Sequence, residues 1–360
     1  MDMISMLLRA LGSGWDGFVN YVTEHTLTCL VPALFIAGAI AAFAKKEKIL
    51  KYLGPNVKKY ISYPIAAVSG TVLAVCSCTI LPLFAGIYKK GSGIGPAIAF
   101  LYSGPAINIL AIVYTARVLG YDIGIARAVI SISMSVVIGI IMATIFRAHD
   151  KKLVNEAKKT DRSVINGGPD QKAGWVYLAF FGSMIGILII ATAPMDWMIK
   201  FPIVYALTLG IAILLIYRFG KDEVTDWWRE TWDLSKKIVP ILVIGSFVVG
   251  IISYFLPPET FKPFLGGEGF LANLTAAVIG ALLYMPTLLE VPIVGTTFGY
   301  SDGLMGNGPA LALLLSGPAV SLPSIIVLYR IMGLKKTTTY ILLVIVFSAL
   351  AGFVYGNLIV

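Results

Sequence analysis

The stretch GIGPAIAFLYSGPA, residues 93–106, recurs as GNGPALALLLSGPA at residues 306–319, with ten of fourteen positions identical. Each copy closes on the same tetrapeptide in apolar surroundings: Ser103-Gly104-Pro105-Ala106 and Ser316-Gly317-Pro318-Ala319. Proline inside a helix removes an amide and frees a carbonyl, and a glycine beside it loosens the turn. The two copies therefore predict helix breaks at matching places, with Asn108 and Ser321 beside them. The match extends upstream, where AAVSG (66–70) pairs with AAVIG (276–280) and Pro82 falls opposite Pro292. Val31-Pro32 and Val239-Pro240 open the two copies. Gly, Ala and Pro recur in any membrane helix, but chance recurrence does not readily give ten matches with an identical ending. Discontinuous helices at corresponding positions of two halves are the build of secondary transporters.

Composition sets the environment. Of 360 residues, 58% are hydrophobic and only 13% charged, about half the charge content of soluble domains. Apolar segments fall at 25–44, 61–88, 94–116, 122–146, 175–193, 201–219, 238–256, 271–299, 308–329 and 338–358. Several reach the ~20 residues that a membrane-crossing helix needs. The fold class is an all-α polytopic membrane protein. Its predicted organisation is repeat one over 1–146, a cytoplasmic linker over 147–174, a connecting helix pair over 175–219 and repeat two over 220–360. Tyr60, Trp175, Trp197, Trp227, Trp228 and Trp232 sit at segment ends, as an interfacial belt would. The formal charge of +9 does not point to nucleic acid, because Lys and Arg cluster in short loops flanking apolar runs. Residues 1–24 lack a charged start followed by an apolar core, so no cleavable signal peptide is expected. No P-loop motif occurs, and three cysteines make no disulfide framework. His25 and Cys29 share a helix face, but two residues do not make a metal site, and no cofactor is expected.

Charge bias orients the halves. KKEKILKYLGPNVKK (45–59) carries six Lys and one Glu, whereas its counterpart PPETFKPFLGGEGF (257–270) carries one Lys. The positive-inside rule puts the first in the cytoplasm and the second outside, which makes the repeats inverted. Lys58 and Lys59 before segment 61–88, and Lys89 and Lys90 after it, place both of its ends in the cytoplasm. It is then a re-entrant hairpin with its tip near Cys76–Pro82, Thr79–Pro82 starting the returning half-helix. Segment 271–299 mirrors it, with its tip near 285–292. The sum is about eight full crossings plus two re-entrant hairpins, both termini external, in a multi-pass protein of a lipid bilayer.

Three groups of residues could carry chemistry. Cys76, Ser77 and Cys78 place two thiols one residue apart. On a regular helix they would face apart, but at an irregular tip they converge, and such thiols favour soft partners such as trivalent arsenic, Cu(I), Zn(II) or sulfur compounds. Simple packing of small apolar side chains is the competing reading. Glu290 lies in the counterpart hairpin, twelve residues from the nearest other acid, Asp302. An ionisable residue inside a membrane segment is by default functional, and proton coupling is the role its chemistry suggests. A structural carboxyl bonded to freed amides is the alternative. The paired breaks, Ser103, Gly104, Pro105 with Asn108 and Ser316, Gly317, Pro318, the latter followed by Ser321, mark the third group. All of these except Ser321 complete the expected substrate site together with Thr79. Arg127 is expected to snorkel from the external end of its helix.

CSC followed by proline, KKGSGIGPAIAFLYSGPAIN, YMPTLLEVP and GPALALLLSGPAVS together resemble the predicted permeases of the ArsP type, over nearly the whole chain outside the linker. That family includes efflux permeases for trivalent organoarsenicals; many members have Gly after CSC where this chain has Thr79. The resemblance implies a non-enzymatic permease of a prokaryotic cytoplasmic (inner) membrane, exporting a small thiophilic solute recognised in part by Cys76 and Cys78. Another sulfur-containing solute or a soft metal would suit the same site. A membrane thiol oxidoreductase is the rival from a different class, although such enzymes usually need a second cysteine pair, which Cys29 alone cannot supply. A channel or structural subunit would not need paired thiols. If the charge-bias topology holds, a reporter inserted at residues 89–93 is accessible only from the cytoplasm; accessibility from outside overturns the hairpin.

Overall fold

The computed structural model describes residues 9, 11–15, 19, 30–43, 52–54, 57–73, 77–148, 150–151, 174–192, 196–255, 262–283, 285 and 290–359. Among them the chain is helical and no strand occurs. The helices of the first half are α1 (Val31–Phe43), α2 (Lys59–Leu73), α3 (Ser77–Lys89), α4 (Ile94–Ala106), α5 (Ile109–Val118) and α6 (Tyr121–Ile145). Next come α7 (Gly174–Thr192), α8 (Trp197–Arg218) and α9 (Lys221–Phe255). The second half continues with α10 (Phe270–Leu282), α11 (Glu290–Pro292) running into a π-helical turn (Ile293–Thr297), α12 (Asn307–Ser316), α13 (Leu322–Met332) and α14 (Leu334–Val354). Among the described residues, three helices are long and apolar enough to cross a membrane: Tyr121–Ile145, Met198–Arg218 and Leu334–Leu358. A fourth span results if α4 and α5, bent by 43° at their junction, count as one. The remaining apolar helices are shorter.

The repeated sequence makes repeated contacts. α4 packs against both α2 and α6, as α12 packs against both α10 and α14. Each crossing is closed by a glycine pair. A Cβ on Gly139 would stand 2.8 Å from the Gly95 carbonyl oxygen, and one on Gly352 would overlap that of Gly308. Small residues let membrane helices approach backbone to backbone. Gly120 and Gly333, at φ +123° and +81°, make the tight turns into α6 and α14, in a region costly for other residues.

The start of α4 marks one end of the molecule. Gly93 donates to the Leu53 carbonyl at 2.8 Å, Tyr63 of α2 abuts Gly95, and the Ile94 amide donates to Asp150 Oδ1 at 3.0 Å. The last turn of α3 is there too, where Tyr88 accepts from Lys336 Nζ, in the first turn of α14, at 2.7 Å. Lys89 also pairs with Glu230 of α9. Thus α2 begins and α3 ends at the same end. The start of α12 marks the other end by an equivalent set of bonds. Gly306 donates to Leu265 at 2.9 Å, and the Asn307 and Gly308 amides donate to Glu268 Oε1 and Oε2 at 2.6 and 2.8 Å. Asn357, beyond α14, donates to the Glu268 carbonyl at 2.8 Å. Between the ends, α4 and α12 meet at matched positions, with the Tyr102 hydroxyl donating to the Leu315 carbonyl at 3.3 Å.

Four expectations need correction. α3 is already helical at Ser77, two residues before the expected Thr79–Pro82 start, and Pro82 lies inside it. α9 is one 35-residue helix that begins in the charged stretch before residue 238. Its early charges are carried on a helix face, which needs no apolar run. Trp227 is buried, donates to the Phe35 carbonyl at 2.9 Å and packs among Phe35, Phe43 and Phe180, unlike its exposed neighbours Trp228 and Trp232. Arg127 is fully buried, for the reason given below.

The glycines under the breaks give a test. A Cβ on Gly280 would strike the Ser316 hydroxyl, with backbone atoms no nearer than 3.1 Å, whereas one on Gly70 would strike the Ser103 hydroxyl and also stand 2.6 Å from the Phe100 carbonyl oxygen. Each Gly→Ala change is expected to cost about 1–3 kcal/mol through overpacking. Adding Ser316→Ala should restore the thermal stability of Gly280→Ala in detergent, while Ser103→Ala should rescue Gly70→Ala only in part.

Candidate functional site

The matched breaks differ in detail. α4 stays helical through Ser103, Gly104 and Pro105, and the chain breaks at Ile107-Asn108; α12 ends at Ser316, before Gly317 and Pro318. Both serine hydroxyls turn back on their own helices, Ser103 donating to Phe100 at 3.1 Å and Ser316 to Leu313 at 3.3 Å. The helices after the breaks are capped at matched positions. Asn108 Oδ1 accepts from the Ala111 amide at 3.4 Å, and Ser321 forms a capping box with Ser324. Such caps satisfy amides that a helix start leaves open.

Cys76 lies outside the described residues, and Ser77 and Cys78 are described only as the opening of α3. Thr79, next along that helix, is fully buried.

Glu290 opens α11 and is fully buried, and its partner comes from 163 residues away in the chain. Arg127 of α6 reaches inward, Nη2 donating to Glu290 Oε2 at 3.1 Å and Nη1 to Thr115 Oγ1 of α5 at 2.8 Å. Thr115 donates its own hydroxyl hydrogen bond to the Ala111 carbonyl at 2.7 Å, so its oxygen is set to accept. Both charged side chains have no exposed surface, which explains why Arg127 does not snorkel: its counter-ion is inside. Arg127 Nε and Glu290 Oε1 have no hydrogen-bond partner among the described residues. Gly317 lies beside that idle oxygen, where an added Cβ would stand 3.1 Å from Oε1. Tyr102 and Ser131 border the same cluster. The structure thus brings together Glu290 and the second break, and adds Arg127, Thr115 and Tyr102. A lone arginine well inside an apolar helix was the sequence signal for the missed pair, since an intramembrane cation requires a partner.

A cavity of about 660 Å³ opens at the surface, lined by Leu119, Glu268, Tyr300, Met305 and Asn307 among others. Tyr300 donates to Asn307 Oδ1 at 2.9 Å. Burial, and then the carboxylates of Glu268 and Asp122, push its hydroxyl pKa up. No group of three or more metal-ligating side chains occurs among the described residues.

The chain is 39% identical to the UPF0718 protein MJ0584 of Methanocaldococcus jannaschii, over 99% of this chain and 98% of that one. It is 23% identical to the UPF0718 protein YraQ of Escherichia coli, over 91% of this chain and 77% of that one. No solved structure matches. A family model described as predicted permease, ArsP_1, matches residues 15–357, and with a 39% identical relative aligned nearly end to end, the chain belongs to that family of predicted permeases.

Proposed function

We propose that the protein is a secondary permease of a prokaryotic cytoplasmic membrane, built from two inverted-topology repeats, that exports a small thiophilic solute. Trivalent organoarsenicals are the first candidates. The observation that carries this reading is the meeting of α4 and α12. They start at opposite ends, each anchored by the same Gly-to-Leu backbone bond, and touch at Tyr102 and Leu315. Broken helices converging from opposite faces on a central point are how alternating-access carriers build a midplane site.

The hairpin reading has support of the same kind. α2 and α3 have 15 and 13 residues, about 22 and 20 Å at 1.5 Å per residue, short of a ~30 Å hydrocarbon core. Since α2 begins where α3 ends, the segment enters and returns. Eight crossings with two such hairpins remain the proposed topology.

In this reading the solute site lies between the Cys76-Ser77-Cys78 tip, Thr79, the two breaks (Ser103, Gly104, Pro105, Asn108 and Ser316, Gly317, Pro318) and Glu290. The thiols hold the soft atom, and Glu290 couples transport to protons. A permease for another sulfur-containing solute or soft metal would use the same residues. A thiol oxidoreductase would lack a second cysteine pair to pass electrons on.

Uptake into inverted vesicles of methylated arsenicals, inorganic arsenicals and sulfur compounds tests the reading. The Cys76→Ser/Cys78→Ser double variant should lose uptake of the thiophilic members; unchanged uptake overturns the thiol site. Glu290→Gln in proteoliposomes should lose the pH dependence of transport, and a retained dependence removes Glu290 from coupling.

A further inference from the structure

The buried pair is poorly made for a purely structural bridge. A guanidinium offers five N–H donors, and Nε with Nη2 forms the side-on edge that matches a carboxylate with two parallel bonds. Glu290 uses half of that edge. Its Oε2 takes Nη2 at 3.1 Å, while its Oε1 turns toward Gly317 and Nε is left without a partner among the described residues. A buried ion pair recovers its desolvation penalty only with good geometry and with its remaining donors and acceptors satisfied.

The other half of the chain is an internal control. In the register of the repeat, Arg127 corresponds to Tyr340 and Glu290 to Ile80. Both counterparts are buried, with Tyr340 donating to the Ala319 carbonyl at 3.3 Å. α11 packs on α5 as α3 packs on α13. The same arrangement of helices therefore closes without charge, and the fold does not demand the ion pair. Leu119, in the wall of the open cavity, follows α5 directly and donates its amide to the Thr115 carbonyl at 2.8 Å, which puts it one turn, about 6 Å, beyond Thr115. Its side chain rests against Gly295, five residues after Glu290.

We propose that Arg127 is the anion-binding residue of the transport site, and that Glu290 is an internal stand-in which a solute's own carboxylate or oxyanion displaces. This rests on the permease reading and narrows its substrate class to small solutes that carry an anionic group beside a soft atom. The incoming anion takes Nη2 and the idle Nε together, forming the two-point contact that Glu290 leaves incomplete.

The test is equilibrium binding to the full chain in detergent, read as ligand-dependent thermal shift and by dialysis. The probes are mercaptoacetate, acetate and sulfate, with 2-mercaptoethanol as the neutral control. Wild type should bind mercaptoacetate in preference to 2-mercaptoethanol. Arg127→Gln should weaken binding by about tenfold or more, the worth of one charge-assisted contact. Glu290→Gln removes the competitor and should tighten it by a similar factor. Arg127→Tyr/Glu290→Ile copies the uncharged half, and should fold with wild-type stability and bind none of the anions. Equal weakening by Arg127→Gln and Glu290→Gln overturns the proposal, as does anion binding by the double variant or its absence in Glu290→Gln. Absence of vesicle uptake by the wild-type protein, with these binding changes intact, would instead count against the permease reading alone.

Discussion

A helix that stops inside a bilayer leaves amides and carbonyls where no water can reach them, and much of this fold answers that constraint. α4 and α12 each run to the middle and stop. Beyond the breaks, Asn108 and Ser321 supply the caps for α5 and α13. Before them, Ser103 and Ser316 fold their hydroxyls back onto their own helices, into space that Gly70 and Gly280 leave open. The crossings at Gly95–Gly139 and Gly308–Gly352 hold the broken helices against the long α6 and α14. Small side chains thus do the fixing, and a larger one at any of these crossings would push a broken helix away from its support.

Charge enters this framework on one side only. Removing two ions from water costs several kcal/mol each, and one 3.1 Å contact with one threonine bond recovers part of that. Packing of apolar and small residues holds the halves together, with Arg127–Glu290 added at a place where Tyr340 and Ile80 satisfy the matched position without charge. That imbalance separates what the fold requires from what a transport site would require.

The breaks were legible because proline and glycine act locally: the chemistry that interrupts a helix sits at the interruption. The glycine pairing was not, since a glycine in an apolar helix does not say which neighbour it admits. Arg127 was visible as an oddity and misplaced, because its partner lies 163 residues away and charge bias describes only loops. Trp227 was misassigned for a related reason. Position at a segment end predicts an interfacial ring, but three phenylalanine rings and the Phe35 carbonyl draw it inward. The returning half-helix, expected to start over Thr79–Pro82, opens two residues earlier at Ser77, and Pro82 lies within it, flanked by buried Leu81 and Leu83. Family membership rested on the combined motifs, which no single element carried.

The outer ends of α4 and α12 bear on how such a chain acquires its parts. Both N-termini are held by carboxylates, Asp150 at Ile94 and Glu268 at Asn307 and Gly308. The capped amides correspond, but the carboxylates do not: Asp150 follows α6, Glu268 precedes α10, and the position matching Glu268 holds Lys58. A shared ancestral segment could pass on the need for an anion at each helix start without passing on the anion. The two caps are then separate solutions to one electrostatic demand, a case of convergence within a single polypeptide.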